Sequence, residues 1–387
     1  ENVSLDVNRV HERKNNIVDQ LHRGVQGLMN KYRVDLYEGR GRIIGPSIFS
    51  PRSGSVAVEP LDDEVEGETL VCTNLIVATG SRVKQIPGLE ADGERIWSSD
   101  EALQMESIPE QVLIVGGGVI GVEWASMLTD FGAQVTVLEA ESRILPMEDE
   151  DISAAMAKAL TAKGVRVITN TKISPETRED LEHGIRIQAK QEDREPLTLE
   201  AEKMLMAVGR EANIHNLGLE NTDIQVKNDV IHVNKWFQTS ESHIYAIGDV
   251  TGGIQLAHAA ALQGMKAVEH MAGMNIDAYD ETFIARCVYS QPEAASIGWT
   301  EKQAKEKGFD VEIGRIPFSS IGKAWIQHRD TPEGFVKVVA DKQTKDILGI
   351  QMIGTQVTEL ISEAALARWL DATPWEIGAL AHPHPSL

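Results

Sequence analysis

The run QVLIVGGGVIGVEWASMLTDFGAQVTVLEA, residues 111–140, constrains the fold more than any other part of the chain. A purely apolar strand, VLIV, meets a glycine-rich turn, then a helical pattern, then a second apolar strand. That order is one βαβ unit of about 30 residues, and it commits this region to a parallel sheet. Gly116, Gly118 and Gly121 give the spacing G-x-G-x-x-G. In this setting the first glycine permits a tight turn, the second lets a pyrophosphate approach the backbone, and the third lets helix and strand pack closely. The helix start offers unpaired N–H groups and partial positive charge to the phosphates. Glu139 closes the second strand, 18 residues after Gly121. A carboxylate there accepts hydrogen bonds from ribose hydroxyls and repels a 2′-phosphate, which favours NAD(H) over NADP(H). Arg143 is the one nearby cation that could soften this preference. Glu123 is read on the first turn of the helix, either as a favourable helix-terminus charge or as a carboxylate near a nicotinamide ring.

The pattern elsewhere is consistent with an α/β protein. Val7, Val10, Ile17, Val18, Leu21, Val25, Leu28 and Met29 recur at spacings of three and four, which predicts an amphipathic helix over 6–31. VDLYEG, GRIIG and SVAVEP read as short strands, and LVCTNLIVATG as a buried one. A Pro/Gly connector, VKQIPGLEADG, precedes the βαβ unit. DISAAMAKALTAKG and VRVIT extend it by a helix and a strand, and β-rich sequence follows to 210. HIYAIGDV and a helix from LAHAA come next. From about residue 281 a different block begins, with antiparallel-looking strands and two helices, an α+β pattern. VATG at 77–80, AVGR at 207–210 and AIGD at 246–249 echo one another at the ends of apolar runs. The echoes suggest two related nucleotide-binding units, one of them resumed after an insertion. Small residues closing any strand would produce the same pattern.

Charge and cysteine content exclude several classes. With 37 basic and 59 acidic residues the net charge is −22, which repels a phosphate backbone and argues against nucleic acid as a partner. No run is long and apolar enough to span a membrane, and the N-terminus has no secretory pattern, so a cytoplasmic protein is expected. The two cysteines, Cys72 and Cys287, fit no zinc spacing and no disulfide framework, so no metal is expected; each reads as a small buried residue in a strand.

Taken together, GGGVIGVEWA, IVATGS with MAVGR, HIYAIGDV followed by LAHAA, YSQPEAASIGWTE and the final HPHPSL resemble the dihydrolipoamide dehydrogenase family of two-dinucleotide disulfide reductases. The likeness runs over essentially the whole chain and is strongest to bacterial forms serving branched-chain 2-oxo acid complexes. It implies two Rossmann-like domains, for FAD and NAD, and a C-terminal α+β interface domain. The expected boundaries are 1–85 and 212–280 for FAD, 86–211 for NAD, and 281–387 for the interface. It also implies oxidation of protein-bound dihydrolipoamide through a redox disulfide and FAD, with reduction of NAD⁺. For FAD it points to Gly41, Thr79, Gly80, Ser81, Asp249, Gln255, Leu256, Ala257 and His258. For NAD it points to Gly116, Gly117, Gly118, Val119, Ile120, Gly121, Val122, Glu123, Glu139, Ile173 and Gly209. Without the likeness, Asp249 reads as a turn residue and His258 as an ordinary helix histidine. His384, followed by Pro-Ser-Leu, matches the family's acid–base histidine, with His382 as its competitor. A thiol of pKa ~8.5 needs such a base to attack as thiolate. The likeness further implies a homodimer with a shared active site, and a lipoyl domain or acyltransferase core of a 2-oxo acid dehydrogenase complex as partner.

Some family features do not occur in these residues. The first flavin-binding turn, the cysteine pair four residues apart, and the glutamate five residues after the histidine are not found. The chain opens at Glu1 and stops at Leu387, so both ends look cut, and roughly 70 upstream residues are expected. Such a chain would bind NADH measurably and FAD poorly. Rival readings are a soluble transhydrogenase, which has no use for a base at His384, a glutathione reductase, which needs arginines where Glu139 sits, and a mercuric ion reductase, which ends in a cysteine pair. A non-catalytic scaffold has no need to keep Glu123, Glu139, Asp249 and His384.

Overall fold

A computed structural model of the chain describes residues 5–46, 48, 53–62, 66–191, 194–328 and 330–387. The chain divides into two compact units, Glu1–Lys84 with Arg210–Glu281, and Gln85–Gly209 with Thr282–Leu387.

In the first unit, the predicted amphipathic helix runs Val7–Tyr32, opened by the Asp6 carboxylate on the Arg9 N–H and closed by Arg33 in the left-handed region. None of its residues is buried. Strands Gly39–Ile44, Ser55–Pro60 and Glu68–Leu70 form an antiparallel sheet. Leu75–Val77 and Ile244–Ala246 pair in parallel, and the helix Ala257–Met271 follows the second of them. Ile43, Val77, Ala212, Ile224, Ile231, Ile244, Ala246 and Val250 make the core. Two sequence expectations fail here. VDLYEG is not a strand: pairing begins only at Gly39, and Val34 and Leu36 are exposed, so nothing rewards an extended ladder there. LVCTNLIVATG is not one buried strand, because residues 71–74 leave the sheet between Glu68–Leu70 and Leu75–Val77. Cys72 therefore sits outside any strand and is half-exposed, its thiol turned to the Leu70 carbonyl.

In the second unit, five parallel strands stand in the order Ile96–Trp97, Lys203–Met206, Gln111–Val115, Gln134–Leu138, Arg166–Ile168. A three-stranded antiparallel sheet, residues 171–201, packs beside them through Ile185, Ile187 and Leu199. The C-terminal block is a five-stranded antiparallel sheet, bearing the helix Val357–Trp369. Val288, Ala294, Phe335 and Ile353 of this block share one core with Ile114, Val122, Val137 and Met156 of the βαβ region. Cys287, in the strand Arg286–Val288, is half-buried rather than buried, and burial pushes its thiol up. No helix among the described residues is long and apolar enough to cross a membrane.

Two ionic clusters pin the segment 148–151 to the C-terminal sheet. Buried Glu148 accepts from Arg286 Nε at 3.0 Å and from the Ser296 hydroxyl. Buried Lys337 meets Asp149 at 2.9 Å, Asp151 at 2.7 Å and Glu301 at 2.8 Å. Burial pulls the Lys337 ammonium down, but hydrogen bonds to Asp151, Glu301 and Asp149 more than offset it and hold the group above the usual lysine value. Hydrogen bonds from Lys305 and Lys337 hold Glu301 below the usual glutamate value. Lys337→Met leaves the buried Asp149 carboxylate with no cation, while Glu301 keeps Lys305, a loss of about 3 kcal/mol. A raised lysine stabilises below its ordinary 10.5 and ceases to as pH rises through its folded value. A lowered glutamate stabilises above 4.5 and ceases to as pH falls through its folded value. Urea denaturation of both proteins across pH should therefore show a flat stability gap between those values that shrinks at both ends. A gap that is absent at neutral pH contradicts this role for Lys337.

Candidate nucleotide and flavin sites

The loop after Gln111–Val115 is shaped by four glycines, each for its own reason. Gly116 has φ 110°, and a Cβ there would stand 2.2 Å from the Ala207 carbonyl oxygen. A Cβ on Gly121 would stand 1.9 Å from the Gly116 carbonyl oxygen, so the helix Val119–Asp130 packs down on the turn. Gly118 is the N-cap, where a Cβ would meet nothing within 4 Å and no side chain caps the helix. An uncapped start leaves partial positive charge and first-turn N–H groups for an anion. The open space at Gly118 is where a phosphate could close on the backbone, so the loop fits a dinucleotide.

Glu139 follows directly on the strand Gln134–Leu138 and is buried. Its carboxylate accepts from the Gly117 N–H at 2.6 Å and the Glu141 N–H at 2.7 Å. This explains the fourth glycine: a Cβ on Gly117 would lie 2.7 Å from Ile144 and 3.1 Å from the Glu139 carboxylate. Arg143, the cation that could have welcomed a 2′-phosphate, instead donates to the carbonyls of Glu148 and Pro146, each at 2.8 Å, and Leu145 at 3.3 Å. The segment 207–209 runs beside the turn, with Gly209 at φ 106°. Of the other residues named for NAD, Val119 is exposed and Ile120 partly packed, whereas Val122 is in the core. Ile173 lies partly buried in the strand Thr171–Leu181.

Glu123 is the fifth residue of its helix, hence on the second turn rather than the first. It is too far along to serve the helix terminus. Its carboxylate accepts from the Tyr289 N–H at 2.8 Å, and Ser126 Oγ accepts from the Gln291 N–H at 3.0 Å. These bonds tie the loop helix to the strand end after Val288. Burial pushes the Glu123 carboxyl up, against the lowering effect of the Tyr289 N–H.

In the first unit, Gly80 and Gly248 follow the parallel strands Leu75–Val77 and Ile244–Ala246 with φ 68° and 71°. Asp249 accepts from the Ser81 hydroxyl and lies 4.0 Å from Arg210. Thr79 Oγ1 donates to the Asn213 carbonyl at 2.8 Å. Gln255 and Leu256 lead into the helix Ala257–Met271, which also starts without a side-chain cap, and His258 is exposed on its first turn. Gly41 lies in the exposed part of the strand Gly39–Ile44. It is the most peripheral of the residues named for FAD.

At the C-terminus, His382 Nε2 pairs with Glu363 Oε1 at 2.7 Å, which holds this imidazole above the usual histidine value. His384 is exposed. Two participants were not named from the sequence: Tyr289, which acts through its backbone, and Arg210, the last letter of MAVGR. The recurrence of VATG, AVGR and AIGD was the signal available for Arg210.

Gly118→Ala and Gly121→Ala separate ligand space from packing space. Gly118→Ala should leave the melting temperature within about 2 °C while weakening NADH binding about tenfold or more. Gly121→Ala should destabilise the unit outright. Equal NADH affinity in wild type and Gly118→Ala, measured by fluorescence titration, contradicts the phosphate reading of this loop.

Comparison with known proteins agrees with this geometry. The profile of the pyridine nucleotide-disulphide oxidoreductase family matches residues 2–264, and that of its dimerisation domain matches 284–387. A dihydrolipoyl dehydrogenase of Bacillus subtilis is 54% identical over 385 residues, 100% of this chain and 80% of the relative. One from Zymomonas mobilis is 35% identical over 99% of this chain and 80% of its own length. Among solved structures, LpdA of Mycobacterium tuberculosis superposes with TM-score 0.89 at 25% identity, covering 100% of this chain and 82% of that one. The HOCl-induced flavoprotein disulfide reductase RclA of Escherichia coli gives 0.85 at 27%, covering 99% and 84%. The chain belongs to the pyridine nucleotide-disulphide oxidoreductase family.

Proposed function

We propose that this protein is an FAD-dependent dihydrolipoyl dehydrogenase, a cytoplasmic homodimer that oxidises dihydrolipoyl groups carried on the lipoyl domain of a 2-oxo acid dehydrogenase complex. The dithiol loses two electrons and two protons; NAD⁺ takes a hydride and one proton is released. The observation that carries the reading is the loop at Gly116–Gly121 with the Glu139 carboxylate folded beneath Gly117. The names of the relatives supply the substrate, and the dimerisation-domain match supports the homodimer.

The residues divide the work by their chemistry. Gly116 to Ile120 seat the pyrophosphate through backbone N–H groups. Glu139, acceptor-only when ionised, takes ribose hydroxyls and disfavours a third phosphate. Gly209 and Ile173 flank the nucleotide. Glu123 fixes the strand end at Tyr289 against the loop helix. Asp249 and Ser81, with Thr79, Gly80 and the segment 255–258, hold FAD, and Gly41 meets its adenine end. Bound FAD supplies the two-electron relay between thiol and nicotinamide chemistry. His384 takes the thiol proton. His382 is committed to Glu363, so it does not compete for that role. Neither Cys72 nor Cys287 has the spacing of a redox pair, and neither is assigned one.

The test is NAD⁺ reduction by dihydrolipoamide, with reduced glutathione and NADP⁺ as comparison reactants. Turnover should be specific to dihydrolipoamide and NAD⁺. His384→Gln should lower it by about 10²–10⁴-fold, while NADH-driven reduction of a soluble quinone, which bypasses the dithiol, is retained. Equal use of glutathione, or full dihydrolipoamide activity in His384→Gln, contradicts the proposal.

A further inference from the structure

Residues Gln85–Gly209 form an insertion between the two segments of the first unit. The chain leaves that unit through the strand Ser81–Val83 and re-enters it through Arg210–Ala212, and these two strands pair antiparallel. Arg210 stands opposite Val83, so its long side chain reaches diagonally to Ser81. Its guanidinium is used twice there: Nη2 donates to the Ser81 carbonyl at 2.9 Å and Nε to the Ser81 hydroxyl at 2.7 Å.

The hydroxyl orientation follows from donor and acceptor counting. A guanidinium has no acceptor, so the Ser81 oxygen must accept from Nε. Its single hydrogen must then go elsewhere, and the group in reach is Asp249 Oδ2. Among the described residues Asp249 Oδ1 has no hydrogen-bond donor. The backbone beneath Asp249 is held as well, because buried Gln263 accepts from the Gly248 N–H at 2.7 Å. The carboxylate is thus fixed from one side and open on the other.

We propose that Arg210 is a positioning residue for flavin binding. Acting through the Ser81 hydroxyl, it locks Asp249 so that Oδ1 is presented to a hydroxyl of the flavin side chain. The proposal rests on the assignment of Asp249 as an FAD residue. It adds a residue that touches no flavin atom and acts only through the orientation of another. Truncating Arg210 frees the Ser81 hydroxyl to rotate and the carboxylate to swing, so the ligand must then order a group that the protein had already ordered.

The experiment measures FAD dissociation from the flavin-loaded protein, by recovery of flavin fluorescence, in wild type, Arg210→Met, Ser81→Ala, the double variant and Asp249→Ala. Asp249→Ala should weaken FAD the most. Arg210→Met and Ser81→Ala should each weaken it by about tenfold, the scale of one lost charge-assisted hydrogen bond. The double variant should be no worse than the poorer single one, because both break the same chain of bonds. An FAD analogue lacking the side-chain hydroxyls should bind wild type and Arg210→Met alike, an equality that a purely structural role for Arg210 does not produce. If Asp249→Ala leaves FAD affinity unchanged, the assignment of Asp249 itself fails. If Asp249→Ala weakens FAD while Arg210→Met does not, or if the two single effects simply add, the positioning role of Arg210 is overturned.

Discussion

The Glu139 carboxylate, folded against the Gly117 N–H at 2.6 Å, is the contact on which the nucleotide-binding reading depends. It joins the end of one parallel strand to the turn after its neighbour and dictates a bare Cα at Gly117. On the proposed assignment, a carboxylate at this strand end favours sugar hydroxyls and disfavours an extra phosphate. Arg143, which could have reversed that preference, is spent on three backbone carbonyls.

The second unit surrounds this loop with rigid support. The helix Val119–Asp130 is held on one side by the core around Val122, Ala125 and Leu128. On the other it is held by backbone N–H groups of Tyr289 and Gln291 bonded to Glu123 and Ser126. The clusters at Glu148–Arg286 and Lys337 fasten the following segment to the same antiparallel sheet. Such buried ion clusters contribute less to net stability than to fixing one arrangement, since their desolvation offsets much of their attraction.

Legibility in the sequence followed the length and regularity of each pattern. The βαβ unit was readable because strand, turn and helix each carry their own signal over about 30 residues. The helix Val7–Tyr32 was readable from its apolar spacing alone. VDLYEG and the stretch through Cys72 were misread because short apolar runs do not reveal whether anything will cover them. Glu123 was placed one turn early, since the helix already starts at Val119. The candidate site residues were found through motifs, whereas the bonds that orient them were not visible. A backbone N–H such as that of Tyr289 has no sequence signature, and the link from Arg210 through Ser81 to Asp249 joins residues far apart in the chain. Such links become visible only when the strands are paired.

Anaerobic titration of the flavin-loaded protein with NADH and with NADPH, followed by flavin absorbance, puts the buried carboxylate to the sharpest trial. With Glu139 facing the ribose, the flavin band should bleach at near-stoichiometric NADH, and NADPH should be far less effective. Bleaching by NADPH as readily as by NADH, or none with either, would contradict the roles of Glu139 and the glycine loop.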